Sequence, residues 1–125
     1  MTSKQKILVV DDDEQSRQLM EAMLTPHGYD VITAENGEIG VALAARDKPS
    51  LILLDVMMPV IDGYVALSMM KNDPATSGIP VIMVTALAFD LNKKLADRLG
   101  AAGYITKPVS LKELLKEVSR CLSAL

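Results

Sequence analysis

The sequence predicts an α/β fold, a doubly wound (βα)5 domain in which a five-stranded parallel sheet carries helices on both faces. Two observations point there. Short runs such as Ile7-Leu8-Val9-Val10, Leu51-Ile52-Leu53-Leu54 and Val81-Ile82-Met83-Val84 are apolar throughout, without alternation. Runs this short and this uniform read as strands buried on both faces. Between them lie segments whose apolar residues recur at spacings of three and four.

The first strand, residues 7–10, ends in Asp11-Asp12-Asp13-Glu14. A helix follows over about 14–24, with Leu19, Met20, Met23 and Leu24 at helical spacing; Pro26 and Gly28 stop it. Residues 29–34 form a weaker second strand suited to a sheet edge. Asn36-Gly37 opens an Ala-rich helix to about Arg46, with Ile39, Ala42 and Leu43 as its buried stripe. The third strand is 51–54, with Asp55 at its end and a turn at Asp62-Gly63. A third helix spans about 64–71 and stops at Asn72-Asp73-Pro74. The fourth strand is 81–85, introduced by Pro80. A fourth helix covers 89–99, with Leu91, Leu95 and Leu99 four residues apart and Gly100 as its C-cap. The short fifth strand, 104–106, ends in Lys107-Pro108. Ser110 and Glu113 form a capping box for the last helix, whose apolar residues include Leu111, Leu114, Leu115, Val118, Cys121 and Leu122. Right-handed crossovers leave few topologies. The flavodoxin-like order 2-1-3-4-5 sets the two most apolar strands, first and third, side by side in the middle.

The totals exclude several classes. At 125 residues the chain is one domain with room for a proper core. Aromatics are 3%, so that core is aliphatic, with the eight Met residues filling gaps. A net charge of −3 argues against a nucleic-acid-binding surface. One cysteine, Cys121, excludes an intramolecular disulfide, fits a reducing compartment and reads as a buried apolar filler. There is no signal-peptide pattern and no apolar run of transmembrane length, so a cytoplasmic protein without membrane insertion is expected.

In a parallel sheet the strand C-termini share one edge, and ligands bind beside the strands where the order reverses. That edge receives Asp11 and Asp12 (strand one), Asp55 (strand three), Thr85 (strand four) and Lys107 (strand five). Three close carboxylates repel, and a hard divalent cation removes that cost; Mg²⁺ takes one or two carboxylates together with phosphate oxygens. With Lys107 as a second positive charge and Thr85 as a hydroxyl donor, the set suits phosphoryl transfer to Asp55 as a carboxylate nucleophile. Asp13 and Glu14 read as a solvated helix start, and His27 as a surface residue in a Pro-His-Gly turn.

At these residues the sequence resembles the receiver domain of two-component response regulators. The resemblance is carried by Ile7-Leu8-Val9-Val10-Asp11-Asp12, Leu53-Leu54-Asp55-Val56-Met57-Met58-Pro59 with Asp62-Gly63, Val84-Thr85-Ala86, and Gly103-Tyr104-Ile105-Thr106-Lys107-Pro108. It spans essentially the whole chain and implies a stand-alone receiver over residues 1–125 without an output domain. By that likeness Asp55 is the phosphoacceptor, and a histidine kinase or histidine phosphotransfer protein is the donor. Asp12 binds Mg²⁺ directly, Asp11 through water, and Met57 through its backbone carbonyl. Thr85 and Tyr104 are the switch pair, and Lys107 contacts the phosphoryl group beside a cis bond to Pro108. Met57 and Leu87 occupy places that vary in the family and influence phosphoryl lifetime; both are apolar, which implies slow self-dephosphorylation. The downstream protein would bind the face of the fourth helix, fifth strand and fifth helix, near residues 90–99, Tyr104 and 111–122. Receivers of this kind are monomers or phosphorylation-dependent dimers, and act as phosphoacceptors rather than as classical enzymes.

Rival readings fit less well. A haloacid-dehalogenase-type phosphatase wants a second Asp two residues after the nucleophile, where this chain has Met57. An FMN carrier of the same fold wants a Ser/Thr/Gly-rich phosphate loop after the first strand, where three aspartates stand. A non-phosphorylated pseudo-receiver, acting only as an interaction module, would lack part of the acidic, Thr and Lys set, and none is missing.

Overall fold

Apolar strands without a polar face need cover on both sides, and the chain provides it. The computed structural model describes residues 4–87 and 90–123. Its strands are β1 (Lys6–Val10), β2 (Asp30–Ala34), β3 (Leu51–Leu54), β4 (Val81–Thr85) and β5 (Gly103–Thr106). They form one parallel sheet in the order β2-β1-β3-β4-β5, the order expected from the sequence. The helices are α1 (Glu14–Leu24), α2 (Gly37–Asp47), α3 (Gly63–Asn72), α4 (Asp90–Arg98) and α5 (Leu111–Ser123). Phe89, the expected first residue of the fourth helix, lies outside the described residues.

Alternate residues of each strand serve opposite layers. Leu8, Val10, Ile52, Leu54, Val81 and Met83 face Ala44 of α2, Leu67 and Met70 of α3, and Ala96 of α4. Ile7, Val9, Leu51, Leu53, Ile82, Val84 and Ile105 face Met20 and Leu24 of α1 and Leu114, Val118 and Cys121 of α5. Cys121 is therefore core filler, and burial pushes its thiol above the ordinary range.

Two helices bury different residues from those their spacing suggested. On α2 the buried positions are Gly37, Gly40 and Ala44, while Ile39 and Ala42 are exposed and Leu43 is half-buried. The helix lies too close to β1 for larger groups: a Cβ on Gly40 would sit 2.8 Å from Val10 Cγ2. On α4 only Ala96 is buried, and Leu91 and Leu95 stand 77% and 41% exposed. Leu19 on α1 also points outward, being 49% exposed.

Backbone hydrogen bonds carry the strand order one residue past the strand ends. The Asp11 N–H donates to the Ala34 carbonyl (3.1 Å), the Asp55 N–H to Val10 (3.0 Å) and the Lys107 N–H to Thr85 (2.8 Å). The chain then turns back sharply after β3. The Gly63 N–H donates to the Val56 carbonyl at 2.8 Å, and Asp62 caps α3 by accepting the Val65 N–H at 3.0 Å. A Cβ on Gly63 would lie 2.0 Å from the Asp55 carbonyl oxygen, which is backbone and cannot step aside.

Gly63→Ala is therefore expected to destabilise the protein by about 3 kcal/mol, at the upper end of overpacking costs. Urea unfolding measures this. Stability equal to that of the wild type would show that the turn is looser than described.

Candidate functional site

The strand ends bring Asp11, Asp12, Asp55, Thr85 and Lys107 to one edge of the sheet. Asp11, Asp12 and Asp55 each place a carboxylate oxygen within 4.8 Å of the others'. Asp11 is fully buried, Asp55 is 7% exposed and Asp12 is exposed. The ammonium of Lys107 bridges the two buried carboxylates, 2.7 Å from Asp11 Oδ2 and 3.2 Å from Asp55 Oδ2. Its third near neighbour is the Ser16 hydroxyl at 3.4 Å. The Lys107–Pro108 peptide bond is cis.

The remaining carboxylate oxygens take backbone donors. Asp11 Oδ1 accepts the Asp13 N–H at 2.9 Å, and Asp55 Oδ1 accepts the Met57 N–H at 3.4 Å. Asp13 is the N-cap of α1, accepting the Gln15 N–H, and its other oxygen accepts the Ser16 hydroxyl at 3.0 Å. Arg17 donates to the Asp11 carbonyl at 2.7 Å. Thr85 is fully buried, and its Oγ1 accepts the Leu87 N–H at 3.4 Å. The Tyr104 hydroxyl donates to the Leu87 carbonyl, so Thr85 and Tyr104 both engage the same loop residue.

Charge and burial compete here. Burial raises the Asp55 carboxyl above its ordinary range; the Asp11 charge adds to this, while Lys107 and the Met57 N–H oppose it. Burial alone would lower Lys107, but its hydrogen bond to Asp11 and the charges of Asp55 and Asp11 raise it on balance. The ammonium is thus held firmly charged between the two carboxylates.

The donor set consists of hard oxygens, and hard oxygens suit a magnesium-like ion. Asp11, Asp12 and Asp55 could hold one, with Asp12 open to solvent. Beside them runs a cleft of about 460 Å³ lined by Asp12, Val56, Met57, Met58, Asp62 and Tyr64. Met57 is 61% exposed at its mouth. Asp13 and Glu14 are exposed at the helix start, and His27 is exposed in a turn away from these residues.

Sequence reasoning missed Ser16, Arg17 and Tyr64. The Asp13-to-Ser16 spacing of three was a visible signal for a side chain in the first helical turn. The contacts of Arg17 and Tyr64 depend on how α1 and α3 sit on the sheet, and no local pattern gives that.

Comparison with known proteins agrees with this arrangement. The family model described as response regulator receiver domain matches residues 7–119. Protein PilH of Pseudomonas aeruginosa is 42% identical over 118 residues, which cover 94% of this chain and 98% of that protein. The probable transcriptional regulator ycf27 of Porphyra purpurea is 44% identical over 111 residues, 89% of this chain but only 44% of that longer protein. Among solved structures, the receiver domain of sensor histidine kinase PA1611 from Pseudomonas aeruginosa superposes with a TM-score of 0.89 at 31% identity, covering 96% of this chain and 98% of that one. That structure has a magnesium ion coordinated in its active-site cleft. With the parallel sheet in this order and the acidic cluster at its edge, the chain belongs to the response regulator receiver domain family.

Proposed function

We propose that Asp55 accepts a phosphoryl group and that the chain signals by the conformational change this causes. The observation that supports the reading best is the gathering of Asp11, Asp12 and Asp55 oxygens within 4.8 Å of one another beside a cleft, with Lys107 bound to two of them. Asp11, Asp12 and Asp55, with the Met57 carbonyl, would hold Mg²⁺, whose charge offsets that of the carboxylates and of the incoming phosphoryl oxygens. The magnesium-bound PA1611 receiver supports the same assignment.

An Asp55 oxygen attacks phosphorus of a phosphohistidine on a kinase or phosphotransfer protein. The P–N bond breaks as the acyl phosphate forms, and the imidazole, already protonated on its other ring nitrogen, leaves neutral with the electron pair of that bond. Lys107 exchanges its Asp55 contact for a phosphoryl oxygen while Asp11 keeps it in place. The Thr85 hydroxyl donates to another phosphoryl oxygen and draws the Leu87 loop, where Tyr104 is also bound. The readout is partner binding at the face of α4, β5 and α5, or transfer of the phosphoryl group onward.

Intact mass after incubation with a small acyl-phosphate donor tests the assignment. A single Mg²⁺-dependent, hydroxylamine-labile phosphoryl adduct is expected on the wild type and none on Asp55→Asn. An adduct persisting on the variant rejects Asp55; no adduct together with no Mg²⁺ binding favours the pseudo-receiver.

Met57 and Leu87, two residues past Asp55 and Thr85, are both apolar and would restrict attacking water, so slow loss of the acyl phosphate is expected. Substituting both with polar residues should shorten its lifetime several-fold, read by the decay of the adduct mass. Complete loss from the wild type within seconds in Mg²⁺ buffer would contradict this.

The raised Asp55 carboxyl also has a stability consequence. Its ionised form is disfavoured in the folded state relative to the unfolded chain. The penalty is absent below the ordinary carboxylate range, grows as pH rises through the unfolded and then the folded pKa, and is constant above both. In metal-free buffer at neutral pH, Asp55→Asn should melt higher than the wild type, because the variant does not carry the buried charge. The gap should close in acid and narrow when Mg²⁺ is added. A variant that melts lower at neutral pH would show that Asp55 contributes more through Lys107 than it costs by burial.

A further inference from the structure

Tyr64 is the residue of the cleft that phosphoryl chemistry leaves unexplained. It lies in the first turn of α3, lines the cleft beside Asp12 and Met57, and is half-buried. Its hydroxyl leaves the cleft and crosses to another helix, 3.2 Å from Asn92 Oδ1 and 3.5 Å from the Asn92 carbonyl of α4. Among the described residues, no other side-chain hydrogen bond reaches α4 from another element.

That bond matters because, among the described residues, α4 has little else to hold it. Ala96 is its one buried residue, whereas α5 buries Leu114, Val118 and Cys121, and α3 buries Gly63, Ala66, Leu67 and Met70. A helix with so few buried apolar groups opens at low local free energy, so a single tether shifts its position measurably. The Tyr64 hydroxyl also neighbours the Tyr104 hydroxyl. Burial raises Tyr104 first, and the facing Tyr64 adds to that effect. Tyr104 in turn bonds the loop leading out of β4.

We propose that Tyr64 is a positioning residue that tethers α4 to the mouth of the acidic cleft through Asn92, so that changes at the cleft are passed to α4 by this bond as well as by the Thr85 loop. The tether exists in the resting protein. Only its use as a signal path rests on the phosphoacceptor reading above.

Amide hydrogen exchange of the full chain tests both parts, on the wild type, Tyr64→Phe, Asn92→Ala and the double variant. Tyr64→Phe removes only the hydroxyl, and Asn92→Ala changes the other partner on an exposed helix that tolerates Ala. In the unphosphorylated protein, each single change should speed exchange across α4 roughly five-fold, the equivalent of one hydrogen bond at ~1 kcal/mol. The double variant should be no faster than Tyr64→Phe, because that change already removes the one donor to both the Asn92 Oδ1 and the Asn92 carbonyl. Exchange in α5 should not move, which separates a tether from general destabilisation. Additive effects, an unchanged α4, or equal acceleration of α4 and α5 would each overturn the proposal.

After treatment with the acyl-phosphate donor and Mg²⁺, the adduct should form equally on the wild type and Tyr64→Phe. The change in α4 protection that accompanies it should be at least halved in Tyr64→Phe; an equal change in both would overturn the signalling role. Absence of adduct on every variant would fail the phosphoacceptor reading, and the resting-state comparison would still decide the tether.

Discussion

The structure depends on keeping carboxylates together that repel one another. Asp11 is fully buried, Asp55 nearly so, and both point at the same few ångströms of space. The Lys107 ammonium, 2.7 Å from one and 3.2 Å from the other, makes this arrangement tolerable without making it comfortable. Burial still raises the Asp55 carboxyl against the pull of Lys107. A fold seeking only stability would place apolar groups here, since replacing buried charge by well-packed hydrophobic residues is often neutral or stabilising. The site instead keeps a surplus of negative charge open to the cleft at exposed Asp12. That surplus is what a bound cation would offset.

Everything around the site limits how far these groups can drift apart. The parallel sheet gives each of them a rigid base, because the residues at its edge continue the backbone pairing of β1, β3 and β4 with their neighbours. The turn after Asp55 is closed by Gly63, whose missing Cβ lets α3 start against the Asp55 carbonyl. Val60 adopts φ +73° in the same turn, an uncommon conformation for a β-branched residue, and stands 73% exposed. Such strain persists where the surrounding structure enforces it, and here both flanks of the turn are hydrogen-bonded.

Most of the fold and the acidic centre of the site were legible in the sequence. Four-residue apolar runs such as Leu51-Ile52-Leu53-Leu54 have no polar face, so their burial on both sides followed from composition alone. In a parallel sheet, strand ends share an edge, so Asp11, Asp55, Thr85 and Lys107 could be brought together without coordinates. Helix faces were harder. The sequence of α2 offered Ile39 and Leu43 as its stripe, but close approach to Val10 selected Gly40 and Ala44. The leucines of α4 are spaced for a core they do not enter, because burial there falls on Ala96. Both cases turn on the distance between helix and sheet, a property of the assembled layers that local spacing does not encode. Tyr64 and Asn92 escaped notice for the same reason, being 28 positions apart on helices whose relative placement is tertiary.

The central claim is that the strand ends form one cation-binding centre. Magnesium titration of the isotopically labelled chain, followed through its backbone amide resonances, tests it directly. Saturable shifts should concentrate at Asp11, Asp12, Asp13, Asp55, Met57 and Lys107, with one affinity fitting all of them. Shifts scattered over exposed acidic residues such as Asp30 and Asp97, or no saturable shift at the strand ends, would contradict the account.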